Sequence, residues 1–144
     1  MDKINLLSKN NEFEYSLIEK DDIQKLYELK GFNYALQYDV NSKHPEMVAV
    51  IAKYKDMVVG IASANGECKT MWQISVDVLP PYRGNKLATI LVNTLTLEVL
   101  NRGYIPYYST DCSNVISQRV AVQAGYLPTW SHCFRTRLCE LLKS

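Results

Sequence analysis

The feature that most restricts this chain is a change of hydrophobic period near residue 80. Upstream, "MVAVIAKYKDMVVGIASANG" and "MWQISVDVL" are short apolar runs rich in valine and isoleucine, the composition of strands. Tyr54-Lys55-Asp56 splits the first run as a hairpin would, and Asn65-Gly66 is a turn dipeptide before the next run. Downstream, Leu87, Ile90, Leu91, Leu95 and Val99 recur at helical spacing until Arg102-Gly103 stops the pattern. An antiparallel meander feeding a buried helix restricts the chain to a mixed α/β fold around a central sheet. "MWQISVDVL", flanked by apolar runs, belongs inside that sheet.

The other segments extend this plan. Phe13 to Ile18 reads as a first strand, followed by a helix with Ile23, Leu26, Tyr27 and Lys30 on one face. Asp21 or Asp22 is placed to cap it and Gly31 to end it. "FNYALQYDVNSKHPE" predicts a second short helix and a polar loop. "YIPYYST" reads as a strand in which Pro106 lacks an amide proton and must face an unpaired gap. "SNVISQRVAVQAG" is a helix capped by Ser113 or Asn114 and stopped by Gly125, and "YLPTW" and "HCFRTRLCEL" supply closing strands. No repeat or linker divides the chain, so residues 1–144 are expected to form a single domain.

Composition excludes several functions. A formal net charge of +1 gives no electrostatic case for nucleic acid. No run approaches the ~20 apolar residues of a membrane span, and the first residues lack a secretory leader's apolar core. A cytoplasmic protein, monomeric or homodimeric, is expected. Cys68, Cys112, Cys133 and Cys139 form no C-x-x-C pair, and His44 and His132 complete no ligand spacing. No metal is expected, and the cysteines read as free thiols.

"PPYRGNKLA", at the strand-to-helix junction, gathers the polar signal. A helix N-terminus offers unpaired amides and the positive end of the helix dipole. Gly84 allows close backbone approach, while Arg83 and Lys86 add charge, as a phosphate site requires. A solvated turn would look the same on these residues alone.

Taken together, "VDVLPPYRGNKLATILV", "YYST" and "SNVISQRVAVQAGYLP" resemble the GNAT superfamily of acyl-CoA-dependent N-acetyltransferases. In that family an Arg/Gln-x-x-Gly-x-Gly/Ala loop holds the coenzyme A pyrophosphate. Here Arg83 and Ala88 take its ends, with Gly84, Asn85 and Leu87 between them, and Lys86 stands where glycine is usual. A second element, Asn-x-x-Ser/Ala with a following Gly-Tyr/Phe, is met by Asn114, Ser117, Gly125 and Tyr126. The resemblance implies a mostly antiparallel sheet splayed between its fourth and fifth strands, with acetyl-CoA as co-substrate. The pantetheine arm would pair with the main chain of Val76 and Val78 and touch Asn114 and Ser117.

Acetyl transfer to an amine needs a neutral amine, polarisation of the thioester and an acid for the departing thiolate. The family often places a tyrosine seven residues beyond the asparagine as that acid, and this chain has Ala121 there. Asp77 and Asp111 are candidates to receive the amine's proton. Cys112 or Ser113 is a candidate to protonate the thiolate, and direct attack governed by positioning needs neither. Tyr34 and Tyr38, with Asp39 and His44, are expected near the acceptor. The reading is therefore an N-acetyltransferase acting on a primary amine in a ternary complex. The alternative is a catalytically silent acyl-CoA-binding module.

Overall fold

A computed structural model of the chain describes residues 12–133. The strands are β1 (Glu14–Glu19), β2 (Glu46–Tyr54), β3 (Met57–Asn65), β4 (Met71–Val78) and β5 (Ile105–Tyr108), and the helices are α1 (Lys20–Ile23), α2 (Leu87–Asn101) and α3 (Val115–Gln123). They form one five-stranded sheet in sequence order, antiparallel from β1 to β4 and parallel between β4 and β5. Lys55 and Asp56 turn the β2–β3 hairpin with positive φ at both, as a tight two-residue turn requires.

Both faces of the sheet are covered, which explains why β2 and β3 are apolar nearly throughout. On one face, Val48, Val50, Ala62, Ala64, Trp72 and Ile74 meet Leu87, Leu91, Leu95 and Val99 of α2. Gly60 makes that contact close, since a Cβ there would lie 2.9 Å from Leu91 Cδ1. The opposite face packs Ala49, Ile51 and Ile61 against Ile18, Ile23, Leu26, Phe32 and Leu36.

Several predicted elements change. The first helix shortens to α1 followed by a 3-10 turn, Gln24–Glu28. Its N-cap is Glu19, without a capping side chain, and Asp22 pairs with Lys25 at 2.6 Å instead. The second short helix reduces to one turn closed by Leu36 N donating to Phe32 O at 2.8 Å. The amides of Tyr34, Ala35 and Gln37 are diverted to side chains of the sheet, and Tyr38 takes a positive φ of 56°, so the helix cannot propagate. "YLPTW" forms no strand: Tyr126 N donates to Ala121 O at 3.0 Å to close α3, and Pro128 removes an amide. "HCFRTRLCEL" lies almost wholly outside the described residues.

The sheet splays as the family resemblance implied. Pairing of β4 with β5 covers only Met71–Ile105 to Ile74–Tyr108, so Ser75 to Val78 have no β5 partner. Pro106 does not sit in this gap but opposite Trp72, inside the paired stretch. Its tolerance has another cause. Ile105 N donates to Thr70 O at 2.8 Å, so Ile105 and Tyr107 point their amides at β4, and the alternation turns Pro106 away.

Candidate active site

The site is built at the end of β4. Leu79 N donates to Val59 O at 2.9 Å, which fixes the phase of the strand. Ser75 and Asp77 spend their main-chain groups on β3, and Val76 and Val78 turn theirs toward the open side. Val78 O is already taken, accepting from Arg83 Nε at 3.0 Å. Among the described residues Val76 has no such partner, so its main chain is what an extended ligand would meet in the gap.

Beyond Val78 the chain makes a 3-10 turn, Pro80–Tyr82, anchored by Tyr82 against Tyr54 and Phe13, with ring centroids 5.5 and 6.5 Å away. The loop then rises to α2 through Gly84 (φ 86°) and Lys86 (φ 60°). Lys86 is the N-cap of this 15-residue helix and supplies no side-chain cap. The first main-chain bond runs from Ile90 N to Lys86 O at 3.1 Å. The amides from Gly84 to Thr89 therefore donate to nothing among the described residues. A Cβ on Gly84 would meet nothing within 4 Å, so the loop is open on that side and its glycine serves the backbone angle. Free amides, a helix N-terminus and the cations of Arg83 and Lys86 suit an anionic diphosphate.

Across the gap, Asn114 caps α3 by accepting from Ser117 N at 3.0 Å with its Oδ1. Its Nδ2 donates to nothing among the described residues. Ser117 Oγ lies 2.8 Å from the Tyr108 hydroxyl at the end of β5. Ala121 is one turn further along α3 and half-buried.

On the other face of the sheet, Asp77 Oδ2 accepts from Tyr34 N at 2.7 Å and Ala35 N at 2.9 Å. The Ser63 hydroxyl donates to Ala35 O, and Glu46 accepts from Gln37 N at 2.6 Å and from the Tyr27 hydroxyl at 2.7 Å. These polar side chains, one on each of β2, β3 and β4, hold the segment 32–38 against the sheet. Burial pushes the Asp77 carboxyl above its ordinary value, although the two amides and the Arg83 charge pull the other way. Burial also raises the Tyr27 hydroxyl, reinforced by the Glu46 carboxylate it faces.

The candidates for chemistry thus separate. Asp77 is fixed beside the gap, whereas Asp111 and Cys112 are exposed and, among the described residues, engage only their main-chain carbonyls: Asp111 O accepts from Asn114 N at 3.0 Å and Gln118 Nε2 at 3.4 Å, and Cys112 O from Gln118 Nε2 at 2.8 Å. Tyr34 is 83% exposed and its ring is free to meet a ligand. Tyr38 packs on Tyr27 at 5.4 Å and donates to Leu29 O at 2.7 Å. Val76 and Arg83 to Ala88 follow one another at the unpaired end of β4, and Asn114 and Ser117 open α3, where Ser117 meets Tyr108 at the end of β5. Two further features had no clear signal in the sequence. One is the polar row of Glu46 and Ser63 beside Asp77, and the other is the Tyr108–Ser117 pair, which the phase of "IPYY" alone would have located. Among the described residues no cluster of potential ligands is suited to a metal ion.

A sheet splayed beside a loop with unpartnered amides at a helix N-terminus is the class of fold found in acyl-CoA-dependent acetyltransferases. The GNAT acetyltransferase family model matches residues 8–131, and the chain belongs to that family. Comparison with curated proteins found no match. Among solved structures, the aminoglycoside N-acetyltransferase AAC(6')-Iy in complex with CoA superposes with a TM-score of 0.63 at 18% identity, covering 93% of this chain and 100% of that one. A GCN5-related N-acetyltransferase-like protein from Streptococcus suis gives 0.68 at 23% identity over 83% of this chain, which spans only 48% of that one. An aminoglycoside acetyltransferase from an uncultured soil metagenomic sample, in complex with sisomicin, gives 0.61 at 13% identity, covering 90% and 99%.

Proposed function

We propose that this chain transfers an acetyl or other short acyl group from acyl-CoA to a primary amine by direct attack in a ternary complex. The observation that carries the reading is the run of unpartnered amides from Gly84 to Thr89, adjoining the unpaired edge of β4. The pyrophosphate would lie on those amides with Arg83 and Lys86. Pantetheine would run along Val76 and Val78 and receive the Asn114 side-chain amide, near Ser117. Because Arg83 already holds Val78 O, Val76 would carry the main-chain pairing.

The acyl donor supplies an activated thioester, and the chain's residues orient it. The amine enters from the side of segment 32–38, where Tyr34 is exposed and Asp77 is fixed. The raised Asp77 carboxyl is suited to take the proton that the amine gives up. Positioning supplies most of the acceleration. The acceptor is a small molecule or a peptide N-terminus; neighbours that act on aminoglycosides place amino sugars among the compounds to try. Residues 1–144 would form one such unit, monomeric or homodimeric. Among the described residues no helix is long and apolar enough to cross a membrane. The free cysteines Cys68, Cys112 and Cys133 suit the reducing cytoplasm.

A second reading, an acyl-CoA-binding module without turnover, draws on Ala121 at the position of the family's usual acid. A thiol-release assay with acetyl-CoA against amines, polyamines, amino acids, aminoglycosides and peptide N-termini separates the two. Turnover with any of them establishes the enzyme; binding without turnover establishes the module.

A further inference from the structure

The chain provides no side chain at position 121 able to protonate a leaving thiolate, yet a hydroxyl reaches the adjoining turn of the same helix. Tyr108 is the last residue of β5 paired with β4, opposite Ile74, at the point where the strands part. Its ring is half-buried between the sheet and α3, 5.9 Å from the Tyr126 ring. Its hydroxyl lies 2.8 Å from Ser117 Oγ, and Ser117 and Ala121 are four residues apart, on one face of α3.

We propose that Tyr108 is the proton donor to the departing thiolate, with Ser117 positioning its hydroxyl. The inference rests on the acyl-CoA reading above and assigns a role the sequence left empty. The amine's lone pair attacks the thioester carbonyl, and the tetrahedral adduct collapses with cleavage of the C–S bond. The bonding electrons pass to sulfur, which takes the Tyr108 proton to give free coenzyme A. The proton lost by the amine passes to Asp77 and on to solvent, and solvent returns one proton to the phenolate through the Ser117 hydroxyl, so no proton is gained or lost overall. Burial and the Asp77 charge push the Tyr108 hydroxyl up, against the opposing pull of Ser117, and so keep it protonated at neutral pH. The other ionisable group against the ring is the Tyr126 hydroxyl, which is engaged with Thr96 Oγ1 at 2.7 Å.

The test needs no acceptor. Coenzyme A is bound to the protein and its thiol is titrated by the ultraviolet absorbance of the thiolate, in the parent protein and in Tyr108→Phe, Ser117→Ala and Tyr126→Phe. A hydroxyl donating to the sulfur favours the thiolate, so Tyr108→Phe should raise the bound thiol's pKa by about 1–2 units. Ser117→Ala should raise it less, and Tyr126→Phe should leave it unchanged. Calorimetry should show coenzyme A binding by Tyr108→Phe within about threefold of the parent protein. Equal thiol titration in the parent and in Tyr108→Phe, with binding intact, would overturn the proposal and leave the acyl-CoA reading standing. Loss of binding in Tyr108→Phe would make Tyr108 a packing residue of the site and also overturn it. Failure of the parent protein to bind coenzyme A would remove both.

Discussion

Lys86 occupies a left-handed conformation, φ 60° and ψ 13°, at the position where the family's loop usually has glycine. A side chain there costs about 1 kcal/mol or more, and the following helix and the turn before it hold it in place. Lys86→Gly should therefore leave stability unchanged or raise it by up to about 1 kcal/mol, because glycine's extra unfolded-state freedom offsets part of the relief. Lys86→Val should lower it by about 1 kcal/mol or more, since a β-branched residue fits that region poorly. Urea denaturation of the two variants checks both directions. Asp77 gives a pH signature. Its carboxyl is raised in the folded protein, so the proton is held more tightly folded than unfolded. Its contribution to stability is full below the unfolded value and is lost as pH rises through the raised folded value. Asp77→Asn, which keeps an oxygen for the Tyr34 and Ala35 amides, should remove that slope. Asp77→Ala, which strands both amides, should also remove the slope and lie about 1–2 kcal/mol below Asp77→Asn at every pH. Thermal melts across the acid range distinguish them.

At the scale of elements, the splay between β4 and β5 is what a ligand would complete. If pantetheine pairs with β4, saturating acetyl-CoA should slow exchange of the Val76 amide, while Ile74, already facing β5, should change little. Equal protection before and after addition would count against pairing. Asn114 caps α3 and, under the proposed function, also meets pantetheine. Asn114→Ala should cost about 1 kcal/mol through the lost cap, whereas Asn114→Ser should keep the cap and lose acyl-CoA affinity if the free Nδ2 binds pantetheine. Denaturation and calorimetry on the pair read the two roles independently. The elements legible in the sequence were those whose signal is local: β1, the β2–β3 hairpin, β4, α2 with its Leu87–Val99 face, β5, and α3 with its Asn114 cap. The helix expected near residue 34 failed because its amides are claimed by Asp77 and Glu46, which lie 43 and 9 residues away along the chain. Propensity cannot anticipate such diversions. Pro106 was read as a gap marker when the phase of the ladder already turned it outward, and the same phase sets Tyr108 toward α3.

For the molecule as a whole, adjacent residues of one strand serve opposite faces. Asp77 holds the segment that carries Tyr34, while Val78 O holds Arg83 of the loop before α2. The end of β4 thus joins segment 32–38 to the loop before α2, and under the proposed function this end is where acyl-CoA binds. The most direct measurement is calorimetric titration of the intact protein with acetyl-CoA, alongside Arg83→Ala. Binding should be saturable on the order of micromolar and weaken about tenfold or more when Arg83 loses its charge and its hold on Val78. A folded protein that releases no heat and shows no saturation with acetyl-CoA would contradict it.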